Sequence, residues 1–278
     1  MMYEIAPQVM HIEFRVQSAK NSDYVIYTKR NLVLLKKNAD DYEIPKVADA
    51  EAIMPGISKT FHYLFSIDEV AYFSSDGNFA AGNENFELIK DRIFRKMQNL
   101  PIAFGGAVAS HISRWEQSNR FCGHCGEPMT RKADERAFVC KECGNTVYGK
   151  ICPVVITSVT WNDKLLMAHN LDNPDPKPYL ISGFVEMGES LEQAAAREVK
   201  EETGISIKNI RYIGSEPWPF SNSLIAGFTA ELDGSPEITM QQSELSEAKW
   251  VERSEIGEYT GRLSISGTMI KRFKEGTL

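Results

Sequence analysis

The sequence predicts a chain of mixed α and β structure in three parts. Residues 1–118 read as an α+β region with a connecting helix, 119–150 as a small cysteine-held ribbon, and 151–278 as an α/β domain. Three observations carry this reading. Apolar residues alternate in short runs through the first third, as in half-buried strands. Two Cys-x2-Cys pairs, fourteen residues apart, stand in the middle. Behind them, strand-like runs bracket a well-capped helix that holds three glutamates within five residues.

Composition bounds the rest. A chain of 278 residues has room for two or three domains. A hydrophobic share of 42% and a charged share of 25% fit a soluble globular protein rather than a disordered one. The net charge of −7 argues against broad, non-specific nucleic-acid binding, yet allows a small nucleotide whose phosphates are screened by metal. No apolar stretch approaches ~20 residues, and the start MMYEIAPQVMHIEF lacks a basic segment followed by an apolar core. The expectation is a cytoplasmic protein with no membrane partner.

In the first part, Met10, Ile12, Phe14 and Val16 alternate as in a strand. Further strands are expected over 24–28, 32–35, 61–67 and 69–74, with a turn at Asp76-Gly77-Asn78. Phe86, Ile89, Ile93, Phe94 and Met97 fall at helical spacing and predict a helix over 86–97. A second helix over 103–119 leads into the ribbon, and its His111 and Trp115, one turn apart, read as packing. His11 and His62 lie in strand-like runs and read as structural.

In the ribbon, Cys122, Cys125, Cys140 and Cys143 have the spacing of a tetrahedral thiolate zinc site. Four thiolates close the metal's shell, so the zinc is structural rather than catalytic. Such a reduced set suits an intracellular protein better than a disulfide framework does. The loop 131–135 is mixed in charge and gives no nucleic-acid surface. Cys152 is left over and reads as a small buried residue at a strand start.

In the third part, strands are expected over 153–159, 165–169, 179–182, 224–232 and 248–251, with a polar, proline-bearing loop over 170–178 and a C-terminal helix through 268–274. Ser190 and Gln193 form a capping box, and Gly204 supplies a left-handed stop, so the intervening helix has about three turns. At ~100° per residue, Leu191, Ala194 and Ala195 share a stripe with Glu198 and Glu202, with Glu201 at its edge. Gln193, Ala196, Arg197 and Lys200 point the other way. A charge run is usually a solvated face, but these glutamates continue the small apolar residues. Partly buried carboxylates are costly unless paired or bound to metal, and three together repel. Mg²⁺ or Mn²⁺ resolves that conflict.

The segment from Gly183 to Ile205 resembles the signature of the Nudix hydrolases at each defining position: Gly183, Glu189, Arg197, Glu198, Val199, Glu201, Glu202, Gly204 and Ile205. The resemblance implies an α/β/α sandwich with a mixed sheet and hydrolysis of a nucleoside diphosphate linked to another group. Two further stretches are similar to the NADH pyrophosphatase subfamily. One is the zinc ribbon. The other is Ser215-Glu216-Pro217-Trp218-Pro219-Phe220-Ser221-Asn222-Ser223, close to that subfamily's Gln-Pro-Trp-Pro-Phe-Pro-x-Ser array but with Glu216 for Gln and Ser221 for Pro. Tyr148-Gly149-Lys150 also departs from the subfamily's usual Tyr-Pro-Arg.

The resemblance implies these roles. Glu198, Glu201, Glu202 and Glu244, with the Ser182 carbonyl, ligate Mg²⁺ or Mn²⁺, and Glu201 alternatively orients water. Glu247 is the neighbouring alternative to Glu244. Glu135 matches a ribbon acid that contacts substrate. The proline-stiffened 216–223 array recognises the substrate, with Phe184 and Tyr148 as candidate stacking partners, and Glu216 adds an acid near an anionic ligand. Arg197 orients carboxylates through Glu201 or Glu189. The implied reaction cuts NADH or NAD⁺ to AMP and nicotinamide mononucleotide, in a homodimer. The same cut on RNA bearing a 5′ NAD cap is a second enzyme reading. A non-catalytic ligand sensor is a third, and it requires a decayed signature, which this chain does not have.

Overall fold

The computed structural model describes residues 1, 3–39, 41–171, 178–259 and 264–278. The proline-bearing loop expected over 170–178 therefore lies largely outside the described residues. The chain divides into two compact units: Tyr3–Lys150, and Ile151–Leu278 together with the first two residues. The ribbon falls inside the first unit.

The first unit opens with β1 (Met10–His11), β2 (Tyr24–Ile26), β3 (Thr28–Lys29), β4 (Leu32–Asn38), β5 (Asp41–Glu43) and α1 (Val47–Ile53). It continues with β6 (His62–Ile67), β7 (Val70–Ser74), β8 (Phe86–Lys90) and α2 (Leu100–Ser118). One sheet has the order β1-β6-β7-β2; in the other, β4 pairs β3, β5 and β8. The expected helix over 86–97 is not formed. Residues 86–90 are instead a strand antiparallel to β4, followed by a single 3-10 stretch over Asp91–Arg95. Phe86 and Leu88, two apart, pack on the core that holds Leu34 and Phe73. A short apolar run serves either period, and the open edge of β4 decides it. The first expected strand also shrinks to Met10–His11: Ile12 and Val16 are exposed, so the alternation after His11 buries no continuous face.

The ribbon consists of β9 (Met129–Arg131), β10 (Ala137–Cys140) and β11 (Thr146–Tyr148), antiparallel in the order β11-β10-β9. It shares a core with α2, in which Trp115 packs edge-on to Phe138 with ring centroids 5.3 Å apart, beside Cys122, Met129 and Cys140. Trp115 is thus a packing residue, as its helical position predicts.

The second unit contains β12 (Cys152–Trp161), β13 (Lys164–Asn170), β14 (Ile181–Phe184), α3 (Leu191–Thr203), β15 (Ile207–Trp218), β16 (Ser223–Leu232), β17 (Leu245–Glu252) and α4 (Ile265–Lys274). Its mixed six-stranded sheet runs β15-β16-β12-β13-β17, with β14 also on β12, and among the described residues only β12 and β16 pair in parallel. The two-residue period of the strands builds three layers. Val155, Ala226 and Phe228 face the Ala194–Ala195 side of α3, while Val159, Leu166 and Ala168 pack with its Val199. Ile156, Leu165 and Met167 face the other way, onto Ile265, Met269 and Phe273 of α4. Gly227 sits under α4, where a Cβ would come within 2.8 Å of Ile265 Cδ1. Among the described residues, no helix is long and apolar enough to cross a membrane.

Candidate active site

Helix α3 forms where its caps place it. Ser190 Oγ accepts from the Gln193 N–H while the Gln193 side chain accepts from the Ser190 N–H, and Gly204 ends the helix at φ 72°. Ala194, Ala195, Val199, Glu202 and Thr203 are its buried residues. β14 runs antiparallel to β12 and brings Ser182 and Gly183 beside α3. There the Glu198 carboxylate rests on Gly183: a Cβ at 183 would lie 1.9 Å from Glu198 Cδ.

An open cleft of about 680 Å³ is lined by Ser182, Gly183, Phe184, Glu198, Glu201, Glu202 and Glu244, with Asn170, Glu186 and Gln241. The four acids and the backbone residue expected to hold metal are therefore brought together. Glu202 is buried at 6% exposure. That burial, with Glu198, Glu244 and Glu201 around it, pushes its carboxyl up to about 8. Burial also raises Glu198, against the opposing pull of Arg197. Such a cluster of mutually repelling, partly buried carboxylates could hold a divalent cation, whose charge would offset the repulsion.

Arg197 is not turned away from this cluster, as helical phase alone implied. Its guanidinium spans both oxygens of Glu189, at 2.6 and 2.9 Å. It also donates to Glu198 Oε1 at 2.8 Å, Glu201 Oε2 at 2.9 Å and the Phe184 carbonyl at 2.9 Å. A long, forked side chain reaches around the helix in a way that a Cβ direction does not anticipate. The expected links to Glu201 and Glu189 are both present. The Arg197 hydrogen bonds and the Glu186 N–H hold Glu189 down to about 2.

The 216–223 array is not a free turn. Residues up to Trp218 end β15 and pair with β16, and only Pro219–Ser221 form a 3-10 turn, closed by Asn222 at φ 57°. Trp218 and Phe220 pack edge to face at 5.3 Å. None of these residues lines the acidic cleft, whereas Phe184 does, and it is 54% exposed. Three of the residues expected to contact substrate are buried. Glu216 is fully buried, and its Oε2 accepts from the Ile265 N–H at 2.7 Å, at the start of α4. In β15 it pairs with Ile225, which packs on the α4 side of the sheet, so strand alternation turns it away from α3. Ser223 is buried and bonds within its own turn, to Ser221 Oγ at 3.0 Å and the Ser221 carbonyl at 3.2 Å. Pro219 is buried in the turn. Pro217 and Ser221 remain exposed, and Trp218, Phe220 and Asn222 are half-buried.

In the first unit, the four ribbon sulfurs lie within 4.8 Å of one another. Cys122–Cys143, Cys125–Cys140 and Cys125–Cys143 stand at 3.6, 3.5 and 3.5 Å. Tetrahedral Zn–S bonds of about 2.3 Å require sulfurs about 3.8 Å apart, so the set fits that ion. The N–H groups of Cys125 and His124 lower the Cys122 thiol, whereas Cys125 and Cys143 are raised, against the pull of backbone N–H groups, by burial and facing sulfurs. All four cysteines are free of disulfides. Tyr148 is exposed, and its hydroxyl donates to Glu135 Oε1 at 3.4 Å, so these two expected substrate contacts form one local pair.

Sequence reasoning missed Gln241, Asn170 and Glu186 as lining residues. Asn170 and Gln241 lie outside the 183–205 segment and Glu186 falls at one of its undefined positions, and nothing in residue type marks them as partners of the acids.

A family model of the NUDIX domain matches residues 153–273, and one described as the NADH pyrophosphatase zinc ribbon domain matches residues 117–148. The chain is 40% identical over 167 residues to the "NAD-capped RNA hydrolase NudC" of Salmonella agona (strain SL483), and equally to that of Salmonella typhi. Each match takes in 60% of this chain and 63% of the relative, so the chain spans less than two thirds of those relatives' length. Among solved structures, a NUDIX hydrolase from Nitrosomonas europaea aligns with a TM-score of 0.49 at 24% identity, over 56% of this chain and 90% of that one.

Proposed function

We propose that this chain, whose residues 153–273 match a NUDIX domain and 117–148 an NADH pyrophosphatase zinc ribbon domain, hydrolyses the pyrophosphate bond of NADH or NAD⁺ with the aid of Mg²⁺ or Mn²⁺. The products are AMP and nicotinamide mononucleotide, each keeping one phosphate as water adds across the P–O–P bridge. The observation that carries the proposal is the convergence of Glu198, Glu201, Glu202 and Glu244 in one cleft under an exposed Phe184.

The residues fit a divalent ion: hard oxygen donors, one buried enough to resist ionisation without a counter-charge, resting on a glycine that leaves room for a carboxylate. Glu198, Glu202, Glu244 and the Ser182 carbonyl would hold it. Glu201, with its side chain 55% exposed, would share that role or orient the attacking water. When bound, the ion supplies neutralisation of the pyrophosphate and a more acidic water. Arg197 and Glu189 fix the directions of Glu198 and Glu201 before substrate arrives, so little reorganisation is left for the reaction. Phe184 offers a face for a base or nicotinamide ring at the cleft mouth. Trp218 and Phe220 would present substrate-facing aromatics from a proline-stiffened turn, and Tyr148 with Glu135 would contact substrate from the ribbon.

In the ribbon, Cys122, Cys125, Cys140 and Cys143 would hold structural Zn²⁺. Four unbridged thiols and nucleotide substrates fit the cytoplasm, and the family resemblance supports a homodimer. A second reading, favoured by the relatives' printed name, is the same cut on NAD-capped RNA, releasing nicotinamide mononucleotide and leaving a 5′-monophosphate end.

Product analysis with NADH, NAD⁺ and NAD-capped RNA, each with Mg²⁺, Mn²⁺ or chelator, tests both readings. Hydrolysis of free dinucleotide supports the first, and preference for capped RNA the second. Metal-dependent turnover of some other nucleotide conjugate, with all three of these left intact, would overturn both. Glu202→Gln should nearly abolish turnover while the fold persists.

A further inference from the structure

Gln241 lies in the segment between β16 and β17 that also carries Glu244. Two backbone bonds clip this segment to the end of α3: the Thr239 N–H donates to the Thr203 carbonyl and the Gln241 N–H to the Glu202 carbonyl, each at 2.9 Å. Gly204 lets the segment pass, since a Cβ there would stand 3.0 Å from Thr239 Cβ and 3.4 Å from its backbone N and O. The last glycine of the signature therefore serves two ends: a left-handed helix stop, and clearance for the chain that brings in the fourth acid.

From that anchored backbone, Gln241 Nε2 donates to Glu244 Oε1 at 3.1 Å and to Ser243 Oγ at 3.3 Å. The Gln241 carbonyl accepts from the N–H groups of Glu244 and Leu245, at 3.2 and 3.1 Å. The Glu244 carbonyl accepts from the Leu171 N–H at 3.0 Å. Glu244 is exposed, unlike Glu202. An exposed glutamate samples several rotamers, and fixing one costs entropy that a ligand must otherwise supply. A neutral amide donor fixes the carboxylate without cancelling its charge, as an arginine would.

We propose that Gln241 is the positioning residue of the fourth carboxylate: tied to Glu202 through its backbone, it holds Glu244 in the cleft in advance of the divalent ion. The proposal rests on the cation-site reading given above, and the two can fail separately.

The test is Mn²⁺ binding to the full chain, followed by electron paramagnetic resonance of free Mn²⁺ without any substrate. Gln241→Met keeps length and both backbone bonds but loses the donor. It should weaken Mn²⁺ binding about tenfold, the scale of a hydrogen bond to a charged group, with an unchanged melting midpoint in chelator. In a Glu244→Gln background the same substitution should have no further effect. Unchanged Mn²⁺ affinity in Gln241→Met, or an equal loss in the Glu244→Gln background, would overturn the role given to Gln241 and leave the cation site standing. Absence of Mn²⁺ binding by the unaltered chain would overturn the cation-site reading itself, and this role with it.

Discussion

Glu198 occupies the space that a side chain on Gly183 would need: a Cβ there would stand 1.9 Å from Glu198 Cδ and 2.1 and 2.2 Å from its two oxygens. The first glycine of the signature is thus explained by the acid fifteen residues later. Gly183→Ala should displace the Glu198 carboxylate and lower the proposed dinucleotide hydrolysis by about a hundredfold, the scale of an ångström-sized misplacement. Mn²⁺ titration should show weakened binding in parallel. Wild-type turnover in this variant would mean that Glu198 does its work from another position.

Arg197 joins Glu189, Glu198, Glu201 and the Phe184 carbonyl. Lysine offers a point charge and cannot span both oxygens of Glu189 while reaching the others. Arg197→Lys should therefore lower stability by about 2 kcal/mol, read by denaturant unfolding, because partly buried carboxylates lose charged hydrogen bonds.

The pair also sets a pH dependence. Glu189 is held at about 2 in the fold, below its unfolded value. A depressed carboxylate contributes stability above the unfolded pKa and loses it as pH falls through the folded one. The melting advantage of the wild type over Glu189→Gln should be full near neutral pH and shrink as pH falls from about 4.5 toward 2. An advantage that stayed constant across that range would show that Glu189 acts by shape rather than charge.

Glu216 stabilises the start of α4 rather than the cleft. Its carboxylate satisfies the Ile265 N–H, which has no acceptor within its own helix, at the end of the helix that favours negative charge. Glu216→Ala should cost about 1–3 kcal/mol, the penalty of an orphaned buried donor. Mn²⁺ affinity should be unchanged, and a large loss of binding would return Glu216 to the active site.

The ribbon sulfurs close the core that contains Trp115 and Phe138. Zinc analysis of the purified chain should find one ion per chain, lost in Cys125→Ser. Removal by a strong chelator should raise proteolysis within residues 119–150, since thiolates without their ion repel one another across a small core. A ribbon equally resistant without metal would refute the structural role.

The grouping of the cleft acids, the clustering of the four ribbon cysteines and the caps of α3 were legible before any coordinates. Each is a local pattern: helical period places Glu198 and Glu202 on the inward stripe, and cysteine spacing implies a tetrahedral set. The helix expected over 86–97 failed because a short apolar run satisfies both periods, and only the free edge of β4 chose between them. The local structure of the array at 216–223 was hidden for a similar reason. Its composition signals a turn, yet most of its N-terminal half is the end of a twelve-residue strand that motif reading passed over.

By itself, then, the sequence determined which acids share a helix face, which cysteines cluster and where α3 starts and stops. All of these depend on residues near one another in the chain. Only the tertiary structure decided that Glu216 faces α4, that Arg197 also reaches Glu198 and the Phe184 carbonyl, and that Gln241 reaches Glu244 from a segment clipped to the end of α3. Those relations depend on which side of a strand meets which layer and on how far a flexible side chain reaches. Spacing along the chain carries no record of either.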